Sequence, residues 1–339
     1  MTSFAEPSRP ATLHDVARAS GVSRGTVSRH LNGERYVSEN ARVAIEQAIL
    51  EVGYVPNTAA RNLVLRRTQA VAFIVHEPHA LFLEDPNIAG ILLGTNTALS
   101  NADYQMVCLI VDSDRDTQRV ARYLNSGFVD GAIVVSAREN DPVLRIIEKL
   151  RIPTVFVGHP LGVDAAWVGI DNREAARAIT ARLRDSGRKR IGMIAAALDR
   201  DSGADRLTGF RAALGEQFDE RLVEQVPLYS YSAGVDGMRA LLERAPDIDG
   251  VFAASDAVAA GALSVLHAQG RSVPKDVGLV GFDNSSWAER TVPQLSTVHQ
   301  PASELGAAAA TELLHQVGGA PASTQGVILD CPVVWRESA

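Results

Sequence analysis

Arg24, Gly25, Ser28 and Arg29 lie within one run of six residues, Arg-Gly-Thr-Val-Ser-Arg. If the run is helical, Val27 and Leu31 share one face and these four residues project from the rest. The chemistry open to such a surface is recognition of double-stranded DNA. A guanidinium can donate two bonds to the O6 and N7 of guanine, worth about 1–3 kcal/mol of discrimination against a wrong base. Arg29 is the candidate for that bond, and Arg24 and Gly25, at the helix tip, are the candidates for setting operator preference. Thr12, Ser28 and Asn32 suit phosphate oxygens, which position a protein without specifying sequence. A surface arginine taken singly looks the same, so the reading depends on the elements around it.

Those elements are legible as three short helices. Thr12 followed by Asp15 forms a capping box variant, with the carboxylate near the positive end of a helix, and Leu13, Val16 and Ala17 follow on one face. Gly21 ends that helix. Ser23 caps a second, and Ser38 a third whose Ala41, Ile45, Ala48, Ile49 and Val52 align inward. Gly53 ends the third. A helix of this kind enters the major groove with its N-terminal residues at the base edges. Next, Pro56 stops the preceding helix and Asn57 caps a further short one through Ala59, Ala60, Arg61, Asn62 and Leu63. So short a helix is marginal in water and is expected to form when two chains meet in a groove. Leu63 is a candidate wedge between base steps of the minor groove; packing on the head is the other reading of it.

A second set of chemical groups sits at strand ends further along. From Ala70 the runs AVAFIV, YQMVCLIV, DGAIVV, PTVFVG, RIGMIAA, GVFAAS and VGLVGFD read as buried parallel strands. Helical stretches alternate with them, roughly Ile88 to Asn101, Thr117 to Ser126, Pro142 to Leu150, Arg173 to Ser186, Asp205 to Glu216, Gly234 to Arg244 and Ala257 to Gln269. The alternation predicts two doubly wound α/β lobes, which bind ligands beyond the carboxyl ends of their strands. That places Asp85, Asn87, Arg138, His159, Asp171, Arg206, Asp256 and Asp283 at a shared cleft. Tyr229 can stack on an apolar sugar face, and Gln300 lies at a lobe crossover. An aspartate after a strand also caps helices, a reading that stays open for Asp171 and Asp256. Arg206 opens its helix in this reading, where the dipole disfavours a cation, so a specific partner is implied.

The chain of 339 residues is long enough for two or three cores. Its net charge of −7 argues against nucleic acid until it is divided. Residues 1–68 hold nine Arg and six acidic residues, or +3; the rest holds 24 basic and 34 acidic residues, or −10. The basic excess lies in the segment that must face phosphate. The start of the chain lacks the apolar core of a signal peptide and no apolar run reaches membrane-spanning length, so a cytoplasmic protein is expected. Cys108 and Cys331 are expected to pack in apolar surroundings rather than pair. No cofactor and no metal are expected: G-x-G-x-x-G, the phosphate loop G-x-x-x-x-G-K-S/T, the nucleophile elbow and zinc-type Cys/His spacing are all missing, which weighs against an enzyme. An exported solute-binding protein for a transporter could use the same two-lobed body; the head and the missing signal peptide oppose it.

The segments TLHDVARASGVSRGTVSRHLNG and YVPNTAARNL closely resemble the LacI/GalR family of bacterial transcription regulators. The resemblance implies a homodimer, each head reading half of a pseudo-palindromic operator, with paired hinge helices in the central minor groove and a CG step at the operator centre. It implies a helix-turn-helix head over 1–55, a hinge over 56–69, and an effector-binding and dimerising body over 70–335. The body divides into an N-lobe of about 70–167 and 300–325 and a C-lobe of about 168–299 and 326–335, like a periplasmic binding protein. By position, Arg24 and Gly25 fall in the family's variable base-reading slots, Arg29 matches its common base-reading arginine and Leu63 its intercalating leucine. Val64 and Leu65 follow where some members carry a basic residue. In the body, Arg206 matches an arginine that commonly holds ligand hydroxyls or a carboxylate, Tyr229 an aromatic that stacks on the effector, and Asp283 a hydroxyl-binding aspartate. Ser255 stands where sugar-binding members often carry Asn, and Gly158 where one carries Asp. The expected effector is a small sugar or sugar derivative acting as an inducer of a repressor.

Overall fold

The computed structural model describes residues 9, 11–31, 36–54, 67–160, 162–322 and 325–339. Asn32, Asn57, Arg61 and Leu63 therefore lie outside the described residues, as does most of the expected hinge. The chain divides into a head unit ending at Thr68 and a body unit starting at Gln69.

In the head, α1 (Leu13–Ser20), α2 (Arg24–Leu31) and α3 (Glu39–Val52) follow the sequence signals closely. The Thr12 hydroxyl and backbone N–H both donate to the Asp15 carboxylate, at 2.6 and 2.9 Å, closing the capping box. Ser23 Oγ accepts from Thr26 N at 3.1 Å and Ser38 Oγ from Ala41 N at 3.4 Å. Val16, Ala17, Val27, Ile45, Ala48 and Tyr54 form the core. Gly21 at φ 69° and Gly53 at φ 62° occupy the left-handed region that ends a helix cheaply only with glycine.

The body begins with β1 (Ala70–His76), α4 (His79–Glu84), α5 (Pro86–Asn101), β2 (Gln105–Val111), α6 (Asp114–Asn125), β3 (Gly131–Val135), α7 (Pro142–Leu150), β4 (Thr154–Val157) and β5 (Ala166–Ile170). It continues with α8 (Asn172–Asp185), β6 (Ile191–Ala196), α9 (Asp201–Leu214), β7 (Val223–Val226), α10 (Tyr231–Arg244), β8 (Gly250–Ala253), α11 (Asp256–Ala268), β9 (Gly278–Val280) and α12 (Ser286–Arg290). It closes with β10 (Thr297–Val298), α13 (Ala302–Val317), β11 (Val327–Leu329) and β12 (Val333–Val334). One parallel sheet has the order β11-β5-β4-β3-β1-β2, the other β7-β6-β8-β9, and β10 pairs antiparallel with β12. Both parallel sheets are doubly wound, so their strand ends with the polar residues converge.

Three sequence expectations need correction. The lobe boundaries shift, because β5 and β11 pair with each other in the first sheet. Residues 168–170 and 327–329 thus belong to the first lobe, and the chain crosses between lobes near Asp171, Gln300 and Asp330. The run YQMVCLIV is an edge strand rather than a buried one: only Val111 of β2 is fully buried, because no further strand covers its outer side. Cys108 on that strand is exposed rather than packed, whereas Cys331 is half-buried against the main core, and both are free thiols. Helix α13 was not anticipated. Its alanine-rich run packs on α5, where Gly94 and Gly306 let the helices meet. A Cβ on Gly94 would run into the Ser303 carbonyl, and one on Gly306 into that of Ile91.

Candidate functional site

A cavity of about 100 Å³ lies between the carboxyl ends of the two body sheets. By the share of space a water needs, about 30 Å³, this holds about three waters. Asp85, Arg206, Tyr229 and Asp283, four of the seven effector candidates, all line it, with Asn87, His159 and Gln300.

Arg206 is the hub. Its Nε donates to Asn172 Oδ1 at 2.9 Å, Nη1 to the Ala254 carbonyl at 2.7 Å and Nη2 to Gln300 Oε1 at 3.2 Å. Asp283 Oδ1 lies 3.5 Å from Nη1, and the guanidinium stacks over Phe282 at 3.7 Å from its ring centre. The side chain is 5 % exposed, so a buried cation is held by acceptors on every edge. Helix α9 begins at Asp201, not near 205, so Arg206 sits beyond the first turn. The helix-dipole argument that singled it out does not apply; this acceptor set is the reason an arginine stands there.

Asp85 caps α5, accepting from Asn87 N at 2.8 Å. Burial pushes its carboxyl up to about 6, with Glu77 adding to the rise and the Asn87 bond opposing it. Burial likewise raises Asp283, against the pull of Arg206. Asp283 holds φ 109°, an unusual backbone for a side chain with a Cβ. The Tyr229 hydroxyl pairs with Ser202 Oγ at 3.1 Å, and its ring centre lies 5.4 Å from the Arg206 guanidinium.

The other three candidates are not on the wall. Asp171 is exposed and caps α8, accepting from Glu174 N at 2.9 Å. Asp256 is fully buried below the site, where it accepts from Thr297 Oγ1 at 2.6 Å and Ser285 N at 2.7 Å. Arg138 pairs with Asp199 at 2.7 Å and approaches Glu77 at 3.6 Å, clear of the cavity.

The sequence reading missed a bridge across the cleft. Glu77, just after β1, is 1 % exposed and makes a two-armed ion pair with Arg200, the residue before α9. Beside it, Glu139 N donates to the Asp199 carbonyl at 2.8 Å and His159 N to Asp201 Oδ2 at 2.7 Å. Arg200, Asp201 and Asn172 also line the cavity. Recognising that α9 starts at Asp201 would have placed Arg200 and Asp201 at a strand end. Among the described residues, no cluster of His, Cys, Asp and Glu is arranged to hold a metal ion.

On the head, Arg24, Gly25 and Arg29 are exposed and Ser28 is half-buried. Arg29 folds along its helix, with Nε 3.3 Å from the Gly25 carbonyl and Nη2 3.4 Å from Thr26 Oγ1. These long, exposed bonds are readily exchanged for a base edge.

Residues 12–57 match the family described as bacterial regulatory proteins, lacI family, and residues 180–339 match the periplasmic binding protein-like domain. The chain is 42% identical over 339 residues to the HTH-type transcriptional regulator CelR of Thermobifida fusca, covering 98% of this chain and 99% of that protein. It is 30% identical over 315 residues to the ribose operon repressor of Escherichia coli strain K12, covering 91% and 93%. Among solved structures it is similar to a transcriptional regulator CelR–cellobiose complex, with a TM-score of 0.78, 40% identity and coverage of 97% and 100%. It shares its fold with the lac repressor dimer bound to operator and an anti-inducer, with a TM-score of 0.86 at 22% identity and coverage of 97% and 99%. Among the described residues, no helix is long and apolar enough to cross a membrane.

Proposed function

The chain belongs to the lacI family of bacterial regulatory proteins, and from that premise we propose that it is a repressor released from its operator by a sugar seated between the body lobes. It is a DNA-binding transcription regulator, working where the chromosome is, in the cytoplasm. As a homodimer it reads a pseudo-palindromic operator through Arg24, Gly25 and Arg29, with phosphate contacts from Thr12 and Ser28. In the body, Arg206, Asp283 and Asp85 take ligand hydroxyls while Tyr229 packs on a ring face. The CelR–cellobiose complex makes a glucose-based ligand of one or two rings the first candidate.

The observation that carries this reading is the cavity itself. It sits where the two sheets' strand ends meet and is lined by the carboxylates of Asp85, Asp201 and the buried Asp283 together with the buried Arg206. Such walls recognise several hydroxyls at once. The ligand shifts the two-state balance only by its differential affinity for the lobe arrangements, and an inducer favours the one in which paired hinges separate. A solute-binding protein would share the body but has no use for the head over 12–57.

The test is anisotropy of operator-like duplex DNA with the full-length dimer, with and without cellobiose, glucose and ribose. One of these sugars is expected to weaken the specific complex at least tenfold. Failure to form a sequence-preferring complex under any condition would overturn the proposal.

A further inference from the structure

We infer that the cavity selects uncharged, hydroxyl-rich sugars over sugar acids and sugar phosphates, and that Asp201, seconded by Asp85, sets this choice. The inference rests on the reading of the cavity as the effector site and names the class of ligand it takes.

The cationic side chains on the cavity wall are Arg200 and Arg206, with His159 at the rim. Arg200 spends both terminal nitrogens on Glu77. Arg206 places Nε, Nη1 and Nη2 on Asn172, Ala254 and Gln300 and sits beside Asp283. The Arg200 Nε has no partner but is itself buried, so neither guanidinium presents to the cavity the open two-pronged edge that a carboxylate or phosphate requires. The carboxylates are differently placed. Asp85 accepts from Asn87 N through Oδ1, and Asp201 accepts from His159 N through Oδ2. A carboxylate has about four lone-pair sites, so both retain acceptor capacity for ligand O–H groups. Neither makes a direct ion pair with an arginine among the described residues. An anion entering here meets like charge without a free counter-charge.

Gly158 explains why Asp201 can stand in this corner. With no side chain at 158, the Asp201 carboxylate occupies the adjoining space; a Cβ on Gly158 would lie 3.3 Å from its Oδ1. The acid thus comes from the lobe opposite Gly158 and reaches the His159 backbone across the cleft. Burial raises the Asp201 carboxyl despite two backbone donors, and it lifts Asp85 to about 6. A ligand anion would oppose their ionisation further.

The test is calorimetric titration of the full-length protein at pH 7.5 with matched pairs: cellobiose against cellobionate, and glucose against glucuronate and glucose 6-phosphate. The acidic member is expected to bind at least about 100-fold more weakly, the factor for one like charge about 6 Å away at an effective dielectric of about 20. Asp201→Asn is expected to narrow the gap at least tenfold by improving the acid's affinity, and Asp85→Asn to narrow it less. If Asp201→Asn misfolds by circular dichroism, Asp85→Asn carries the test. An acid binding as tightly as its neutral partner, or a ratio unmoved by either variant, overturns this inference alone. Absence of binding by every sugar, with the operator complex indifferent to them all, overturns the effector reading and this inference with it.

Discussion

Glu77→Gln is expected to loosen the closed body without unfolding it. Glu77 and the Arg200 side chain are 1 % and 5 % exposed and joined by two charge-assisted bonds. At about 4 Å between charge centres and an effective dielectric of about 20, the attraction is about 4 kcal/mol. Removing one charge from such a buried pair costs about 3–5 kcal/mol, mostly by stranding the other. Arg200 would retain the Tyr229 ring at 5.9 Å, a modest substitute. Opening the cleft lets Arg200 rehydrate, so the penalty falls on closure and is capped at about 3 kcal/mol. Effector affinity scales with the closed fraction, so sugar binding is expected to weaken roughly 100-fold. Titration with the inducing sugar and small-angle scattering of the ligand-free protein read this out. The double change Glu77→Leu with Arg200→Met removes both charges and is expected to return stability to within about 1 kcal/mol of the parent. Affinity within threefold of the parent for Glu77→Gln, with unchanged scattering, would refute the reasoning.

Arg206→Ala is expected to abolish the sugar response while the ligand-free protein still binds operator. It strands several buried acceptors, so the melting temperature should drop as well, by the equivalent of at least about 3 kcal/mol; a normal sugar response would remove Arg206 from the site. Arg29→Ala is expected to relax base preference at one operator position by about 1–3 kcal/mol, measured against a panel of single-base operator variants, and equal losses on every variant would make it a phosphate contact. Burial raises the Asp256 carboxyl above its unfolded value, with the Thr297 and Ser285 bonds opposing the rise. Its contribution is therefore fully present below the ordinary carboxylate range, near pH 4, and is lost as pH rises through the raised folded value. Asp256→Asn should lose less stability than the parent between pH 5 and pH 8 in urea melts, and parallel losses in the two proteins would contradict this.

The head was readable almost to the residue because its signals are local. Thr12, Ser23 and Ser38 cap, Gly21 and Gly53 terminate, and each needs only its neighbours within four positions. The body's strands were readable for the same reason, but their burial was not. The run from Gln105 to Val111 has the composition of a central strand, yet only long-range topology decides that β2 lies at an edge. The lobe boundary failed likewise, since the pairing of β11 with β5 spans more than 150 residues. Asp283 could be placed on the cavity wall because strand ends are legible, whereas Asp85 reaches the same wall as the cap of α5, beyond the short α4. Asp171 shares the strand-end signature and is only a cap, a distinction set by the direction of one side chain.

Arg206 stands on the cavity wall for a reason other than the helix dipole, and that reason ties the cavity to the lobe crossings. Its Nε holds Asn172, which follows the first lobe crossing, and its Nη2 holds Gln300, which lies in the second. The β10–β12 ladder joins the strands beside the second and third crossings, and His299 N donates to the Pro332 carbonyl at 2.8 Å. A guanidinium on the cavity wall is thus bonded to two of the three connections through which the lobes turn. A ligand oxygen that draws an Arg206 donor toward the cavity competes with Gln300 for it, because the longest of the three bonds, at 3.2 Å, is the easiest to give up. Hydroxyl recognition and the setting of the crossover strands then act through one side chain, and the wider cleft need not deform to link them.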